Sequence, residues 1–387
     1  MNRIDLVRPD APALAGYGTH PVGFADWQAV NPAQVDLVAT GDGVVHRADR
    51  ILPCAIWYPA APGTQPGMTY TTLLRDGRQT ATLSGRACRG ATPAQGRFPL
   101  VILSHGYPGN RFLMSHFGET LASRGFVVVA ADHPGSTYDD KAAFGITLLH
   151  RPLDQMFLID AMARSPLAAH SDTDRCAIMG YSMGGYGALV SAGAGLSDVG
   201  LNWPGGARPD LIARHVEGHL PPPDPRLKAI IPIGPWGAQH GFWTDAALAA
   251  LRLPMLVIGG SADDISGYER GIAHVFHAAT GADRWLLTYH NAGHNAAAPI
   301  PAPQESWAPV EWLDFPPFEH YADAVWESAC MNNTAQHFVS AFLLQHLCGQ
   351  DHSATLAPFD ATTTAIQPHG FTATGAIGLR LQVGRAG

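Results

Sequence analysis

The fold is decided by the segment Cys176-Ala177-Ile178-Met179-Gly180-Tyr181-Ser182-Met183-Gly184-Gly185, in which an apolar run passes directly into a Gly-x-Ser-x-Gly pattern. The apolar run predicts a buried β-strand, and the small residues after Ser182 predict a helix that packs closely on a sheet. The flanking glycines permit a sharp turn that lifts the serine side chain above the sheet. Because 42 of the 387 residues are glycine, chance alone gives about 0.2 such pentapeptides per chain. The motif therefore indicates a reactive serine only together with the surrounding sequence.

The composition predicts a soluble globular protein. Hydrophobic residues make up 46% of the chain and charged residues 14%. No stretch approaches the roughly 18 uncharged apolar residues that a membrane span requires. The net charge of −8 favours neither nucleic acid nor an acidic membrane surface as a partner.

The N-terminus and the cysteines predict a cytoplasmic location. Residues 1–10 lack the continuous apolar core of a secretory signal. Five cysteines are widely spaced and form no C-x-x-C pair, namely Cys54, Cys88, Cys176, Cys330 and Cys348. An odd number of scattered cysteines is typical of packed, reduced thiols.

Strands and helices alternate on both sides of the opening segment. Apolar runs predict strands at 100–103, 126–131, 229–233, 254–259 and 284–289. Helical spacing of apolar residues predicts helices at 112–124, 150–165, 242–251, 268–279 and 318–347. The alternation predicts an α/β fold with a doubly wound, mostly parallel sheet.

We expect one domain over residues 1–387. Residues 1–90 are β-rich and predict antiparallel strands at one edge of the sheet, and residues 351–387 predict a further edge segment. Residues 195–225 are rich in glycine and proline. They are a candidate for a partial cap over the site, with an inert surface excursion as the alternative.

Two later strand ends supply what a reactive serine needs. A serine hydroxyl requires a base to take its proton and an acid to orient that base. Asp263 and Asp264 follow the strand at 254–259, and His290 and His294 follow the strand at 284–289. Only one member of each pair can serve. We favour Asp263 and His294, because His294 lies on a flexible loop that can fold back over the serine.

An oxyanion formed on the substrate needs fixed hydrogen-bond donors. The backbone N–H of Met183, at the start of the helix after the serine, is one candidate. The second is the backbone N–H of Tyr107, because Pro108 has no such hydrogen. His105 precedes the serine at this turn, and we interpret it as structural.

Aromatic residues near the strand ends are candidates for the walls of a pocket. Trp236 follows the strand at 229–233, and the side chain of Tyr107 could form a second wall, with core packing as the alternative for both. Other candidates are His133, Trp243, Trp307 and Trp312. The histidines lack H-E-x-x-H or similar spacing, so we expect neither a metal nor a cofactor.

The motifs resemble a known family. Ser104-His105-Gly106-Tyr107-Pro108-Gly109, the segment around Ser182, Gly260 to Asp264 and Gly293-His294 together look like a bacterial α/β-hydrolase of the predicted dienelactone hydrolase and platelet-activating-factor acetylhydrolase-like group. Met183 after the serine, the Gly-Tyr turn and the Pro-Trp loop are also similar to cutinases and polyester hydrolases. The resemblance implies the α/β-hydrolase fold and a serine esterase with Ser182, Asp263 and His294 as its triad. Dienelactone hydrolases use cysteine where this chain has Ser182.

The resulting hypothesis is a cofactor-free hydrolase of small to medium carboxylic esters, with an acyl-serine intermediate and water as the acyl acceptor. Hydrolysis of aromatic or phthalate-type diesters or polyesters is the main alternative. An amidase, an acyltransferase and a non-catalytic ligand-binding homologue are the others. The acyl-chain length, the leaving group and the oligomeric state stay open.

Overall fold

A large mixed sheet with helices on both faces forms the body of the protein. The computed structural model describes residues 1–41, 44–141, 144–372 and 374–387. The strands are β1 (Asn2–Arg3), β2 (Val22–Val35), β3 (Arg47–Pro59), β4 (Thr69–Leu73), β5 (Thr80–Ser84), β6 (Cys88–Arg89), β7 (Phe98–Ser104), β8 (Val127–Ala131), β9 (Ser171–Tyr181), β10 (Leu227–Ile233), β11 (Met255–Gly260), β12 (Arg284–Tyr289), β13 (Phe359–Asp360) and β14 (Leu379–Gly384).

The α-helices are α1 (Ser115–Ala122), α2 (Phe144–Met162), α3 (Met183–Ser191), α4 (Asp198–Leu201), α5 (Pro209–Ile212), α6 (Asp245–Ala249), α7 (Ala273–Ala278) and α8 (Ser328–Cys348). A π-helical turn, Tyr268–Ile272, leads directly into α7.

The eleven-stranded sheet has the order β13-β14-β12-β11-β10-β9-β7-β8-β3-β2-β6. Its centre, from β8 to β12, is parallel throughout. Antiparallel pairs flank the centre on both sides, β2 with β3 and β3 with β8 on one, β12 with β14 on the other. The prediction of a mostly parallel sheet with antiparallel N-terminal strands is confirmed. The carboxyl ends of the parallel strands share one edge, where ligands bind in folds of this class.

The central strands are buried on both faces, which explains their unbroken apolar runs. Successive residues of β7 point to opposite sides, so that Leu100 and Ile102 lie in one core and Val101 and Leu103 in the other. Helices α1 and α8 cover the core that contains Val101, and α2 and α3 cover the core that contains Ile102.

Two predictions about local structure were wrong. Strands β1, β5 and β4 do not extend the main sheet but form a separate three-stranded sheet. The helix predicted over 318–347 begins only at Ser328, where the side chain of Glu327 accepts hydrogen bonds from two backbone N–H groups of its first turn. The residues ahead of this cap form irregular loops and short 3-10 turns, which reach the site described below.

Candidate active site

Ser182 occupies the sharp turn between β9 and α3. Its backbone has φ +52° and ψ −110°, a conformation that a residue other than glycine rarely adopts. The turn is crowded. A Cβ atom at Gly180 would overlap the carbonyl group of Gly184, and one at Gly184 would overlap the carbonyl oxygen of Ser104. The two flanking glycines are therefore needed where backbone segments approach closely.

Ser182, His294 and Asp263, the cleft triplet, form a continuous hydrogen-bonded chain. His294 Nε2 lies 3.0 Å from Ser182 Oγ, and His294 Nδ1 lies 2.8 Å from Asp263 Oδ2. Because an ionised carboxylate can only accept, Nδ1 carries the hydrogen and Nε2 is free to accept from the serine. The other oxygen of Asp263 accepts from the backbone N–H groups of Ile265 and Ser266, at 2.9 and 2.8 Å. The carboxylate is thereby held in one orientation.

The alternative in each pair is not part of this hydrogen-bonded chain. Asp264 and His290 are both exposed, and neither side chain makes a hydrogen bond to the cleft triplet. His105 is buried, and both of its ring nitrogens are occupied by backbone groups, the carbonyl of Gly106 and the N–H of His133. Burial, followed by the neighbouring Arg151, holds the pKa of His105 well below its usual value.

Two backbone N–H groups at the site lack an acceptor. Those of Tyr107 and Met183 donate to no other residue in the described ranges, although both residues line the cleft beside Ser182. Nearby, the N–H of Trp236 donates to the carbonyl of Ser182 at 3.2 Å and fixes the position of that residue. The site therefore combines a serine hydroxyl hydrogen-bonded to an imidazole with two backbone donors that have no acceptor in the described ranges.

An open cleft of about 890 Å³ contains Ser182 and His294. Its aromatic lining comprises Tyr107, Phe144, Tyr181, Trp236, Phe315, Phe318 and His320. Tyr107 and Phe144 pack edge to face at 5.2 Å, and Phe144 and Trp236 do so at 5.3 Å. The volume is that of a site for a drug-sized ligand.

The other sequence candidates lie away from the lining. His133 is buried beneath the cleft and Trp243 donates to the carbonyl of Ala194. Trp307 is exposed, and Trp312 donates to the carbonyl of Asp76. None of the four side chains lines the cleft in the part of the chain that the structure describes.

Part of the segment that does line the cleft, from residue 318 onward, was wrongly predicted as helix. Residues 315–324 contribute much of one wall, whereas no described residue of 195–225 contributes to it. Burial, with smaller contributions from Arg75 and His294, lowers the pKa of His320 in this wall to about 3. Arg75, in the loop between β4 and β5, lines the same wall. No motif pointed to Arg75, because a single arginine in a polar loop carries no pattern.

A second serine–histidine–aspartate chain lies in the interior. Ser104 Oγ lies 3.0 Å from His133 Nε2, and His133 Nδ1 lies 2.9 Å from Asp154 Oδ2. These three residues, the buried triplet, have exposures of 0%, 1% and 0%. Asp154 also pairs with Arg50 at 2.7 Å. Sequence reasoning missed this chain, because its members follow no known spacing.

Neither a metal cluster nor a membrane span was found in the described ranges. No group of three or more His, Cys, Asp or Glu side chains there is arranged to hold a metal ion. No helix there is long and apolar enough to cross a bilayer.

Comparisons with known proteins place these features in context. Residues 80–197 match the PET hydrolase-like family. The chain is 30% identical to cutinase est1 of Thermobifida alba over 51% of this chain and 53% of the relative. It is 27% identical to a bis(hydroxyethyl) terephthalate hydrolase of Streptomyces coelicolor over 52% of each. The chain thus spans about half the length of the curated relatives it matches.

A solved structure shares the whole architecture. The ferulic acid esterase from Streptomyces cinnamoneus superimposes with a TM-score of 0.62 over 90% of this chain and 94% of that one, at 21% sequence identity. At this identity the likeness concerns the fold. Together the shared architecture and the sequence similarities support an α/β-hydrolase fold and a similarity to cutinases, as the motifs predicted.

Proposed function

We propose that the protein is a serine carboxylic ester hydrolase that acts on small to medium esters through an acyl-serine intermediate. The observation that carries the proposal is the hydrogen-bonded chain from Ser182 through His294 to Asp263, which opens into a cleft of about 890 Å³. The similarity to cutinases and to a terephthalate ester hydrolase supports it.

In the first half of the reaction, Ser182 Oγ attacks the ester carbonyl while His294 Nε2 takes the hydroxyl proton. Asp263 stabilises the resulting imidazolium and keeps the ring oriented. The carbonyl oxygen becomes an oxyanion and accepts from the N–H groups of Tyr107 and Met183. His294 then gives its proton to the leaving alcohol, and the acyl group remains on Ser182.

In the second half, water replaces the alcohol. His294 takes a proton from the water, whose oxygen attacks the acyl carbon, and the same two N–H groups hold the second oxyanion. Collapse releases the carboxylic acid and returns the proton to Ser182. The cycle needs no group beyond the chain, the ester and water.

The test combines turnover with covalent labelling. With p-nitrophenyl butyrate, the protein should release nitrophenol, and Ser182→Ala should abolish that release while the circular dichroism spectrum stays unchanged. A fluorophosphonate probe should add one label to Ser182, as seen by intact mass and peptide mapping. Retained turnover in Ser182→Ala would refute the proposal, and so would a failure of the probe to label.

Hydrolysis of aromatic diesters or polyesters is the second candidate. Its support is the aromatic lining, in which Tyr107, Phe144 and Trp236 pack edge to face around the opening. Aromatic rings favour such edge-to-face partners, so that a terephthalate ring suits this wall better than an alkyl chain does. A higher kcat/KM for bis(hydroxyethyl) terephthalate than for ethyl butyrate would favour this candidate, and the reverse order would favour small alkyl esters.

The cytoplasmic location also stays a proposal. It is supported by the cysteines, all five of which are free thiols in the structure. Fractionation of the native host, with antibody detection of the protein in cell extract and medium, decides between cytoplasm and export.

A further inference from the structure

Arg75 is an unusual arginine. Among the residues that the structure describes, five arginines have a buried side-chain nitrogen without a hydrogen-bond partner, namely Arg75, Arg111, Arg124, Arg151 and Arg380. Each of the other four donates at least one hydrogen bond to a protein group from another guanidinium nitrogen. The guanidinium of Arg75 makes neither a hydrogen bond nor an ion pair to any residue that the structure describes, and its Cζ atom lies over the ring of Phe315, 5.2 Å from the ring centroid.

The position of Arg75 is nevertheless well fixed. Its backbone N–H donates to the hydroxyl of Tyr321 at 3.1 Å. The next carbonyl, that of Asp76, accepts from the indole of Trp312 at 3.0 Å, and the carbonyl of Leu73 accepts from the amide of Asn110 at 3.0 Å. The loop is thus attached both to the segment that lines the cleft and to the loop that carries Tyr107. Because these bonds already fix the backbone at Arg75, a ligand does not have to order the loop when it binds.

No described carboxylate neutralises Arg75. Asp323 lines the same cleft, but its carboxylate accepts from the backbone N–H groups of Gly293, Val325 and Trp326. Two further lining carboxylates, Asp264 and Glu319, are exposed and form no ion pair with it. Burial lowers the pKa of Arg75, but a guanidinium stays protonated at neutral pH. An unpaired, partly buried charge is unfavourable until a ligand of opposite charge arrives.

We propose that Arg75 binds a carboxylate of the substrate, so that the preferred substrates are esters that also carry a free carboxylate, such as half-esters of dicarboxylic acids. This inference rests on the proposed ester hydrolase function, because it specifies which esters that site prefers. The guanidinium presents donors that match both oxygens of a carboxylate, and such charge-assisted pairs are stronger than neutral ones. The aromatic wall beside Arg75 suits an aryl ring between the ester and the carboxylate.

Matched substrate pairs test the proposal. Monomethyl terephthalate and methyl 4-carbamoylbenzoate differ only in carrying a carboxylate or a carboxamide on the acyl side. The pair 4-acetoxybenzoate and 4-acetoxybenzamide places the same difference on the alcohol side. For each pair we would measure kcat/KM at neutral pH and take the ratio of the charged to the neutral ester. Comparing this ratio between variants cancels the intrinsic reactivity of the esters.

In Arg75→Gln the ratio should fall by about 10- to 100-fold in at least one pair, mainly through KM, because a charge-assisted hydrogen bond is lost. Arg75→Lys should restore part of it. The matched control is Arg78→Gln, which removes an exposed arginine that packs over Trp312 outside the cleft lining and should leave the ratio unchanged. An equal ratio in wild type and Arg75→Gln for both pairs would overturn the proposal.

A measurement on the wild-type protein needs no variant. Benzoate should inhibit p-nitrophenyl butyrate turnover more strongly than benzamide does, and the difference should shrink as salt is added. Equal inhibition by both would count against the carboxylate site even if Arg75→Gln failed to fold. Failure of the esterase proposal itself is recognised separately, since Ser182→Ala would then retain turnover of the neutral esters.

Discussion

The cleft triplet and the buried triplet contain the same three residue types at nearly the same distances. The serine–histidine distance is 3.0 Å in both, and the histidine–aspartate distance is 2.8 Å in the cleft and 2.9 Å in the interior. In both, the imidazole Nδ1 faces the carboxylate and Nε2 faces the hydroxyl. The residue types and the hydrogen-bond distances therefore do not distinguish the serine proposed to react from the buried one.

The backbone and the surroundings do distinguish them. Ser182 sits on a turn with positive φ at the start of a helix and lines the cleft, whereas Ser104 is the last residue of β7 and has no exposed surface. The carboxylate of the buried triplet is also paired with Arg50, at 2.7 and 2.8 Å. Of the two serines, Ser182 lines the cleft beside the N–H groups of Tyr107 and Met183, and Ser104 does not. The proposed ester hydrolysis therefore requires Ser182.

The buried triplet has a structural task that its position explains. It joins β7, the loop after β8 and α2 directly beneath the loop that carries Tyr107. One turn earlier on α2, Arg151 donates to the carbonyl of His105 and to the hydroxyl of Ser136. These bonds fix the start of the loop that presents the N–H of Tyr107 to the cleft. We infer that the buried triplet helps to position the loop that carries Tyr107, the proposed oxyanion donor.

Replacing each serine by alanine should give the largest difference in kcat between the two triplets. Ser182→Ala should lower kcat for p-nitrophenyl butyrate by roughly 10⁴- to 10⁶-fold, because the nucleophile is lost. Ser104→Ala removes only a hydrogen bond in the interior and should keep turnover within about tenfold of wild type. The check is kcat for both variants at equal folded concentration, as measured by thermal melting. Comparable losses in the two variants would mean that the buried serine takes part in the chemistry.

Replacing each aspartate by asparagine should affect different properties, kcat in the cleft triplet and the free energy of unfolding in the buried triplet. Asp263→Asn should lower kcat by roughly 10⁴-fold, because the amide no longer selects the imidazole tautomer that leaves Nε2 free. Asp154→Asn should instead destabilise the fold by about 3 kcal/mol, because the partly buried Arg50 loses its counter-charge. Urea unfolding and steady-state kinetics measure the two effects. A stable Asp154→Asn protein with strongly reduced kcat would contradict this division of roles.

The histidine of the buried triplet, His133, should also make the free energy of unfolding depend on pH. Burial, followed by Arg151, lowers the pKa of His133 to about 4, from its usual 6.5. Between these values the unfolded chain binds a proton at this residue and the folded protein does not, so stability falls as the pH falls through this window. The loss from this group should reach about 3 kcal/mol by pH 4.

The check compares wild type with His133→Gln. Urea unfolding from pH 7 to pH 4.5 should show a free energy of unfolding that declines less steeply in the variant. The other buried histidines are common to both proteins and cancel. Parallel curves for the two proteins would show that His133 is not neutral in the folded state.

The cleft triplet was predictable because each member follows a recognisable strand. Gly-x-Ser-x-Gly marked Ser182, and the apolar runs of β11 and β12 brought Asp263 and His294 to the same sheet edge. Parallel strands leave few ways to arrange their ends, so local patterns sufficed. In the structure Asp263 Oδ2 lies 2.8 Å from His294 Nδ1, and Asp264 makes no hydrogen bond to His294 in the described ranges.

The remaining parts of the cleft wall depend on contacts between segments far apart in sequence, and a local sequence pattern does not predict such contacts. Arg75 reaches the cleft because the small sheet docks against residues 312–321, far away in sequence. The spacing of Phe318, Tyr321 and Ala322 suits a helix, but hydrogen bonds from Val325 and Trp326 to the carboxylate of Asp323 form a turn instead. Phe318 and Ala322 line the cleft, and Tyr321 packs into the hydrophobic core, an arrangement that the helical prediction did not anticipate.

Tyr107→Phe should have the smallest effect, because the proposed donor is the backbone N–H and not the hydroxyl. The variant keeps the N–H and the aromatic ring that packs against Phe144, so kcat/KM for p-nitrophenyl butyrate should stay within about threefold of wild type. Removal of the ring in Tyr107→Ala should cost more, because the packing that holds the loop is lost. A large loss in Tyr107→Phe would assign the hydroxyl a direct part in stabilising the oxyanion. In that case the cleft triplet would differ from the buried one by a side-chain donor as well as by its backbone.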